Sequence, residues 1–296
     1  MKPGMDRREV LSILAAEAAR GGLTFSTSAA VALRIRQALD DPDCQVDAAT
    51  RLIQSEPLLS ARVVAVANSI TFNRSGRSVT DVRAAITLLG FRTVRILATA
   101  MVVRQLAAVP DAPALQAFGA RLWTHSAYVA ALARVLALRV TRQDPETAMF
   151  AGMVHEIGGF YLLSRAREFP GLIDGVGGDW FGEDETDFAD KRSRRASPEI
   201  EIGRAVLKAL SVPEPVVAAI EVLWQGYLAF PPATLGDTLL LANQLTPVAS
   251  PLLKAPDKNH KATAVTIDMI IEQGTLTGIL EESAAEVNSL TEALRF

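Results

Sequence analysis

Apolar residues recur at three-and-four spacing along almost all of this 296-residue chain. That spacing places them on one face of an α-helix, and no alternating apolar-polar run is long enough to predict a β-strand. The pattern therefore predicts an all-α fold. The predicted helices cover residues 5–20, 27–39, 46–54, 57–68, 79–89, 91–106, 114–139, 145–157 with a continuation past Gly158 and Gly159 to 167, 198–210, 213–224, 234–245, 262–271 and 276–294.

Glycine and proline positions divide these helices into groups. Gly21 and Gly22 end the first helix, and Gly90 forms a tight joint between two others. The Val-Pro-Asp-Ala-Pro stretch at residues 109–113 is the predicted boundary between two subdomains. We expect an N-terminal helix, an N-terminal helical bundle, a second helical bundle and a helical extension, at residues 1–22, 23–110, 111–250 and 251–296.

Composition and charge restrict the classes of function. The chain carries 30 Lys and Arg against 33 Asp and Glu, so no basic surface predicts binding to DNA or RNA. Its one cysteine, Cys44, excludes an internal disulfide. The N-terminus lacks the apolar segment of a signal peptide, and apolar stretches such as Ile96–Val103 are too short to span a bilayer. These features predict a soluble, cytoplasmic protein with no membrane contact.

Candidate chemistry is concentrated at His155 and Glu156, which lie in an apolar run, and at His125, thirty positions upstream on an apolar helical face. Two imidazoles and a carboxylate brought together can hold a divalent cation. The alternative, which we favour, is that both histidines are buried, hydrogen-bonded residues that help helices to pack. We therefore expect no metal and no cofactor, with these three residues as weak candidate ligands.

Arginines near Gly90 are a second candidate. Arg92 and Arg95 are three residues apart, close to one helical turn, and could present two guanidinium groups to an anion. The favoured alternative is that Arg83 pairs with Asp81 or a helix terminus and that the other arginines are solvated.

Several motifs resemble one known family. The family's first half reads L-S-x-R, then A-N-S, V-T-x-V-R-x-A-I-x-x-L-G and V-R, and its second half contains W-x-H-S and A-G-L-L-H-D-I-G. The matching stretches here are residues 58–69, 79–95, 122–126 and 150–158. On these residues the chain resembles the HDOD domains, which are all-helical modules of bacterial signalling proteins related to the HD phosphohydrolases.

The resemblance also identifies departures. The ligands of active HD enzymes would correspond to His125, His155, Glu156 and Asn243, with Glu and Asn in place of two aspartates. Where the related proteins have H-x-x-x-G, this chain has Glu199 to Gly203, and a later histidine pair is replaced by Leu223 and Trp224. The resemblance therefore implies an HD-like second bundle whose metal motif is degenerate.

Taken together, these features predict a non-catalytic HDOD-type regulator that binds a signalling protein whose identity the sequence does not give. One alternative is a metal-dependent phosphohydrolase or cyclic-dinucleotide phosphodiesterase centred on His125, His155 and Glu156. A second alternative is a sensor that binds a cyclic dinucleotide through Arg92 and Arg95 without hydrolysing it.

Overall fold

The computed structural model describes residues 7–23, 27–69, 72–73, 76, 78–107, 112–169, 172, 198–226, 228–229, 231–252, 278, 281, 284–285 and 288. Within these residues the protein is all-α and contains no strand, as the sequence predicts. The helices are α1 (Arg7–Ala19), α2 (Thr27–Ala38), α3 (Val46–Gln54), α4 (Pro57–Ala67), α5 (Val82–Ala107), α6 (Pro113–Leu136), α7 (Pro145–Val154), α8 (Ile157–Arg165), α9 (Pro198–Ala209), α10 (Glu214–Gln225) and α11 (Leu235–Leu245).

Helix α5 lies at the centre of the packing. It contacts α2, α3 and α4 on one side and α6, α7 and α8 on the other, so the same helix belongs to both halves of the core. Gly90 interrupts it with φ 73° and ψ 158°, a backbone conformation that glycine adopts without strain. The predicted joint between two helices is therefore confirmed at this residue.

The close packing of α6 against α7 brings the candidate site together. A Cβ atom on Gly152 of α7 would lie 2.5 Å from the Cα of Ala130 on α6, so only glycine allows this approach of the two backbones. His125 lies on α6, and His155 lies at the C-terminal end of α7. The small residues at this crossing thus determine the distance between the two histidines.

One predicted helix boundary is wrong. The sequence predicts a helix over 145–157 that continues past Gly158 and Gly159 to 167, but α7 ends at Val154 and α8 begins at Ile157. Glu156 leaves helical geometry, with φ −105° and ψ 22°. The two glycines lie inside α8 and allow close contacts there, since a Cβ on Gly158 would lie 3.0 Å from the Cα of Gly203 on α9.

Helix α1 packs on α9, and an ion pair joins Arg7 to Glu199 at 3.3 Å. The predicted helix over 262–271 lies outside the described residues, and the described residues between 278 and 288 are helical. The predicted domain boundaries stay predictions. By length and composition α5 could cross a bilayer. However, 67% of its most apolar 18-residue stretch is buried inside the protein, as in the core helix of a soluble domain.

Candidate functional site

His125, His155 and Glu156 form one buried cluster. The two histidines are 1% and 4% exposed, and the side chain of Glu156 is 8% exposed. The Nε2 atoms of the histidines are 3.3 Å apart, and His125 Nε2 lies 3.8 Å from Glu156 Oε1. The break between α7 and α8 is what turns Glu156 towards the histidines, because adjacent residues on one continuous helix point about 100° apart.

Backbone carbonyls fix the orientation of both rings. The Nδ1–H of His125 donates to the carbonyl of Val248 at 2.6 Å, and the Nδ1–H of His155 donates to the carbonyl of Gly152 at 2.7 Å. With Nδ1 as the donor, each ring when neutral presents the lone pair of Nε2 to the other ring. Two lone pairs at this distance repel, and a proton or a cation between the Nε2 atoms removes the repulsion.

Burial changes the pKa of two of these groups. It lowers the pKa of His155 to about 3, an effect that the charge of a protonated His125 increases and the hydrogen bond to Gly152 opposes. Burial raises the pKa of Glu156, although charge on His125 and a hydrogen bond from Ser250 act in the opposite direction. His155 is therefore neutral near pH 7 and available as a Lewis base.

The segment that follows α11, residues 246–252, covers the cluster, and we call it the cover segment. Val248 accepts the His125 hydrogen bond, and the hydroxyl of buried Ser250 donates to Glu156. Leu252 packs so closely on Gly159 that a Cβ atom on Gly159 would overlap with the Cδ1 atom of Leu252. Sequence reasoning missed these three residues, because nothing in their spacing indicates which helices a loop will cover.

The side chains of His125, His155 and Glu156 meet part of what the binding of a single cation requires. Both Nε2 lone pairs converge with the Glu156 carboxylate, and the potential ligand atoms lie within 4.8 Å of one another. Buried Glu156 Oε2 has no hydrogen-bond partner, so it retains capacity to bind a ligand. Carbonyl acceptors on both Nδ1 atoms are also the usual environment of metal-bound histidine.

The cluster remains small in the part of the chain that the structure describes, where no fourth His, Cys, Asp or Glu joins the three. Asn243 is half-buried on α11, a helix that packs on α6 and α7. Its role as a degenerate ligand position stays a prediction. Three protein ligands with one negative charge suit one cation rather than two.

The positions where related proteins have further histidines serve packing here. Glu199 pairs with Arg7. Gly203 lies against α8, and a Cβ atom on Gly203 would lie 3.2 Å from the ring of Trp224. Arg204 stacks over the same ring at 5.7 Å. Glu199 thus connects α9 to α1, while Gly203 and Arg204 connect α9 to Trp224 of α10.

The two candidate anion-binding arginines have separate protein partners. Arg92 donates to Asp144 at 2.9 Å and to the hydroxyl of Thr147, and Arg95 donates to the carbonyl of Leu39 at 3.1 Å. The paired presentation of Arg92 and Arg95 that the sequence suggested is thus not observed, and anion binding by either stays a prediction.

The prediction for Arg83 was wrong. Its guanidinium pairs with Asp47 of α3 rather than with Asp81. Asp81 instead accepts a hydrogen bond from the backbone N–H of Ala84 at 2.8 Å, which caps the start of α5.

The fold and the buried cluster agree with the family that the sequence matches. The model of the HDOD domain family matches residues 26–225, and the chain belongs to this family. No curated protein matches the sequence. The match begins after α1 and ends before α11, so α1, α11 and the cover segment lie outside the matched residues.

Solved structures share the fold at low sequence identity. A "Putative metal-dependent phosphohydrolase" from Shewanella amazonensis SB2B is 21% identical with a TM-score of 0.67, over 96% of this chain and 99% of that one. An HDOD domain protein with unknown function from Geobacter sulfurreducens is 23% identical with a TM-score of 0.62, over 97% of this chain and 99% of that one. At these identities the likeness extends to the fold alone.

Proposed function

We propose that this protein is a non-catalytic HDOD regulator in bacterial signal transduction, and that it works by binding a partner protein in the cytoplasm. The observation that carries the proposal is the closure of the HD-type centre. Its histidines are buried, and the chain's own cover segment uses Val248 and Ser250 to bond with His125 and Glu156. A hydrolytic centre needs room beside its metal for water and a phosphate ester.

The donor set supports the same proposal. Phosphoester hydrolysis requires charge neutralisation around the phosphate, usually by one or two metal ions and nearby cations. Here one carboxylate takes part, and the related ligand positions hold Glu199, which pairs with Arg7, and the packing residue Trp224. Arg92 and Arg95 contact acceptors of the protein itself.

The test combines metal analysis with a variant of the centre. Protein purified without chelator is analysed for bound metal and for partner binding, beside a His155→Ala variant. We expect substoichiometric metal and unchanged partner binding by the variant. Stoichiometric metal that disappears in the variant, together with phosphodiester hydrolysis that also disappears, would overturn the proposal.

A second candidate function is a mononuclear metal centre, which the convergent Nε2 atoms favour. His125, His155 and Glu156 would hold the ion, which when bound supplies Lewis-acid activation of water or phosphate. The backbone carbonyls of Val248 and Gly152 would keep the two rings in the metal-binding tautomer. Titration with Zn²⁺ or Mn²⁺ by calorimetry, with Glu156→Gln as the control, tests this candidate.

A further inference from the structure

The cover segment fills its position through contacts that a separate peptide could also make. Three kinds of contact hold it: the Val248 carbonyl accepts from His125, the Ser250 hydroxyl donates to Glu156, and the Leu252 side chain lies on Gly159. None of them depends on the covalent connection to α11. The surface beneath, formed by α6 and the junction of α7 with α8, therefore has the properties of a peptide-binding groove.

The groove selects a particular chemistry. His125 Nδ1–H requires an acceptor, which any backbone carbonyl supplies, but the Glu156 carboxylate selects a hydroxyl donor two residues further along. Gly159 leaves space for a branched apolar side chain two residues beyond that hydroxyl. The order from Val248 to Leu252 is thus any residue, any residue, Ser or Thr, any residue, Leu.

The cover segment is also preorganised for this position. Pro247 and Pro251 lie on either side of Ser250 and fix two φ angles, which reduces the entropy lost on binding. Ser250 accepts a hydrogen bond from the backbone N–H of Leu252 at 3.1 Å, which holds the turn between them. A partner segment with similar rigidity would compete at small cost.

We propose that this groove is the docking surface for a partner protein, and that a non-helical partner segment of the pattern Ser/Thr-x-Leu replaces the cover segment. The inference rests on the proposed function, since it gives the chemistry of the partner. The cover segment then acts as an intramolecular competitor, and the affinity of the groove for a partner depends on the fraction of molecules in which the segment has left it.

The experiment uses a peptide of residues 246–252, Thr-Pro-Val-Ala-Ser-Pro-Leu, labelled with a fluorophore. Its binding to the full chain is measured by anisotropy for the wild type and for Leu252→Ala, which weakens the competitor. We expect at least about tenfold tighter binding to the variant. Leu88→Ala, the same change at a residue 46% exposed on α5, is the matched control and should bind as the wild type does.

Two further measurements keep the test decisive. Adding Gly159→Ala to Leu252→Ala fills the space for the peptide's leucine and should abolish the gain. If Leu252→Ala does not fold, hydrogen exchange at residues 246–252 of the wild type should instead increase when millimolar peptide is added. Equal binding to wild type and Leu252→Ala, or no binding and no change in exchange, would overturn the inference.

Failure here is distinguishable from failure of the proposed function. Metal-dependent hydrolysis would overturn the non-catalytic regulator whether or not the peptide binds. Absence of both hydrolysis and peptide binding would leave the regulator standing and remove this groove as its docking surface.

Discussion

Two buried carboxylates in this protein differ in how completely they are hydrogen-bonded. Asp237, 2% exposed on α11, accepts from the Thr234 hydroxyl at 2.7 Å and from three backbone N–H groups at 2.9–3.1 Å. Glu156 accepts from Ser250, lies 3.8 Å from His125, and has one oxygen without a hydrogen-bond partner. Both side chains are buried, but only Asp237 is saturated, in the sense that both of its carboxylate oxygens accept hydrogen bonds.

The difference separates a structural group from one kept available for a ligand. Burial alone would raise the pKa of Asp237, but hydrogen bonds from Thr234, Ala233 and Ala229 outweigh it and lower that pKa. At Glu156 burial dominates and the pKa is raised. The carboxylate of Asp237 therefore stabilises the fold as an ion, whereas ionised Glu156 costs stability unless a proton or cation lies nearby.

Removing the saturated carboxylate should have the largest effect. Asp237→Ala removes one half of a capping box and leaves buried N–H donors without acceptors. We expect the free energy of unfolding to fall by about 2–3 kcal/mol. Urea denaturation followed by circular dichroism measures it, and a loss below about 0.5 kcal/mol would remove the contrast between the two carboxylates.

The pH dependence of stability should report the protonation of His155 in the cluster with His125 and Glu156. His155 has a folded pKa of about 3, below its unfolded value of 6.5, so the unfolded state takes up the proton first as the pH falls. Its stabilising contribution is complete above pH 6.5 and is lost between pH 6.5 and 3, by up to about 1.4 kcal/mol per pH unit. His155→Gln should therefore flatten the stability curve between pH 6.5 and 3, and parallel curves for the two proteins would contradict the assignment.

Loss of the cover segment's hydroxyl should have a smaller effect. Ser250→Ala removes the hydrogen bond to Glu156, and we expect a loss of about 1 kcal/mol together with faster hydrogen exchange at residues 246–252. Ser55→Ala is the control, because that exposed hydroxyl bonds only to the Leu52 carbonyl of its own turn. Faster exchange in the control as well would show that the effect is not specific to the cover segment.

Replacing Glu156 by its isosteric amide should give the smallest effect, and the same change at Asp237 is the comparison for it. Glu156→Gln keeps an oxygen for Ser250 and removes a buried charge, so stability at pH 7 should change by less than about 0.5 kcal/mol. Asp237→Asn loses charge-assisted hydrogen bonds and should cost about 1–2 kcal/mol. Equal losses would mean that the two carboxylates are equally saturated.

Much of this architecture could be predicted from the sequence. Apolar spacing predicted the helices and the glycine at position 90 predicted the joint, because both depend on local propensity. The motif around His155 predicted the pairing with His125. The break at Glu156 could not be predicted, since Gly158 and Gly159 are stronger local signals and tertiary packing on α9 and Leu252 places them inside α8.

Long-range contacts account for the rest. Val248 and Ser250 lie more than ninety residues from the groups they contact, and no periodicity relates a loop to a distant helix. The same applies to Arg83, which pairs across helices with Asp47 instead of with nearby Asp81. Local sequence rules therefore predicted the helices and the candidate ligands but not the cover segment that lies over those ligands.

The most direct test of the central claim is an assay of phosphodiester hydrolysis with excess Mn²⁺ or Zn²⁺. Wild type and Leu252→Ala, in which the cover segment is weakened, are compared using bis-p-nitrophenyl phosphate and cyclic dinucleotides. A non-catalytic regulator predicts no turnover above the metal-only background for either protein. Metal-dependent turnover that increases in Leu252→Ala and disappears when His155→Ala is added would contradict it.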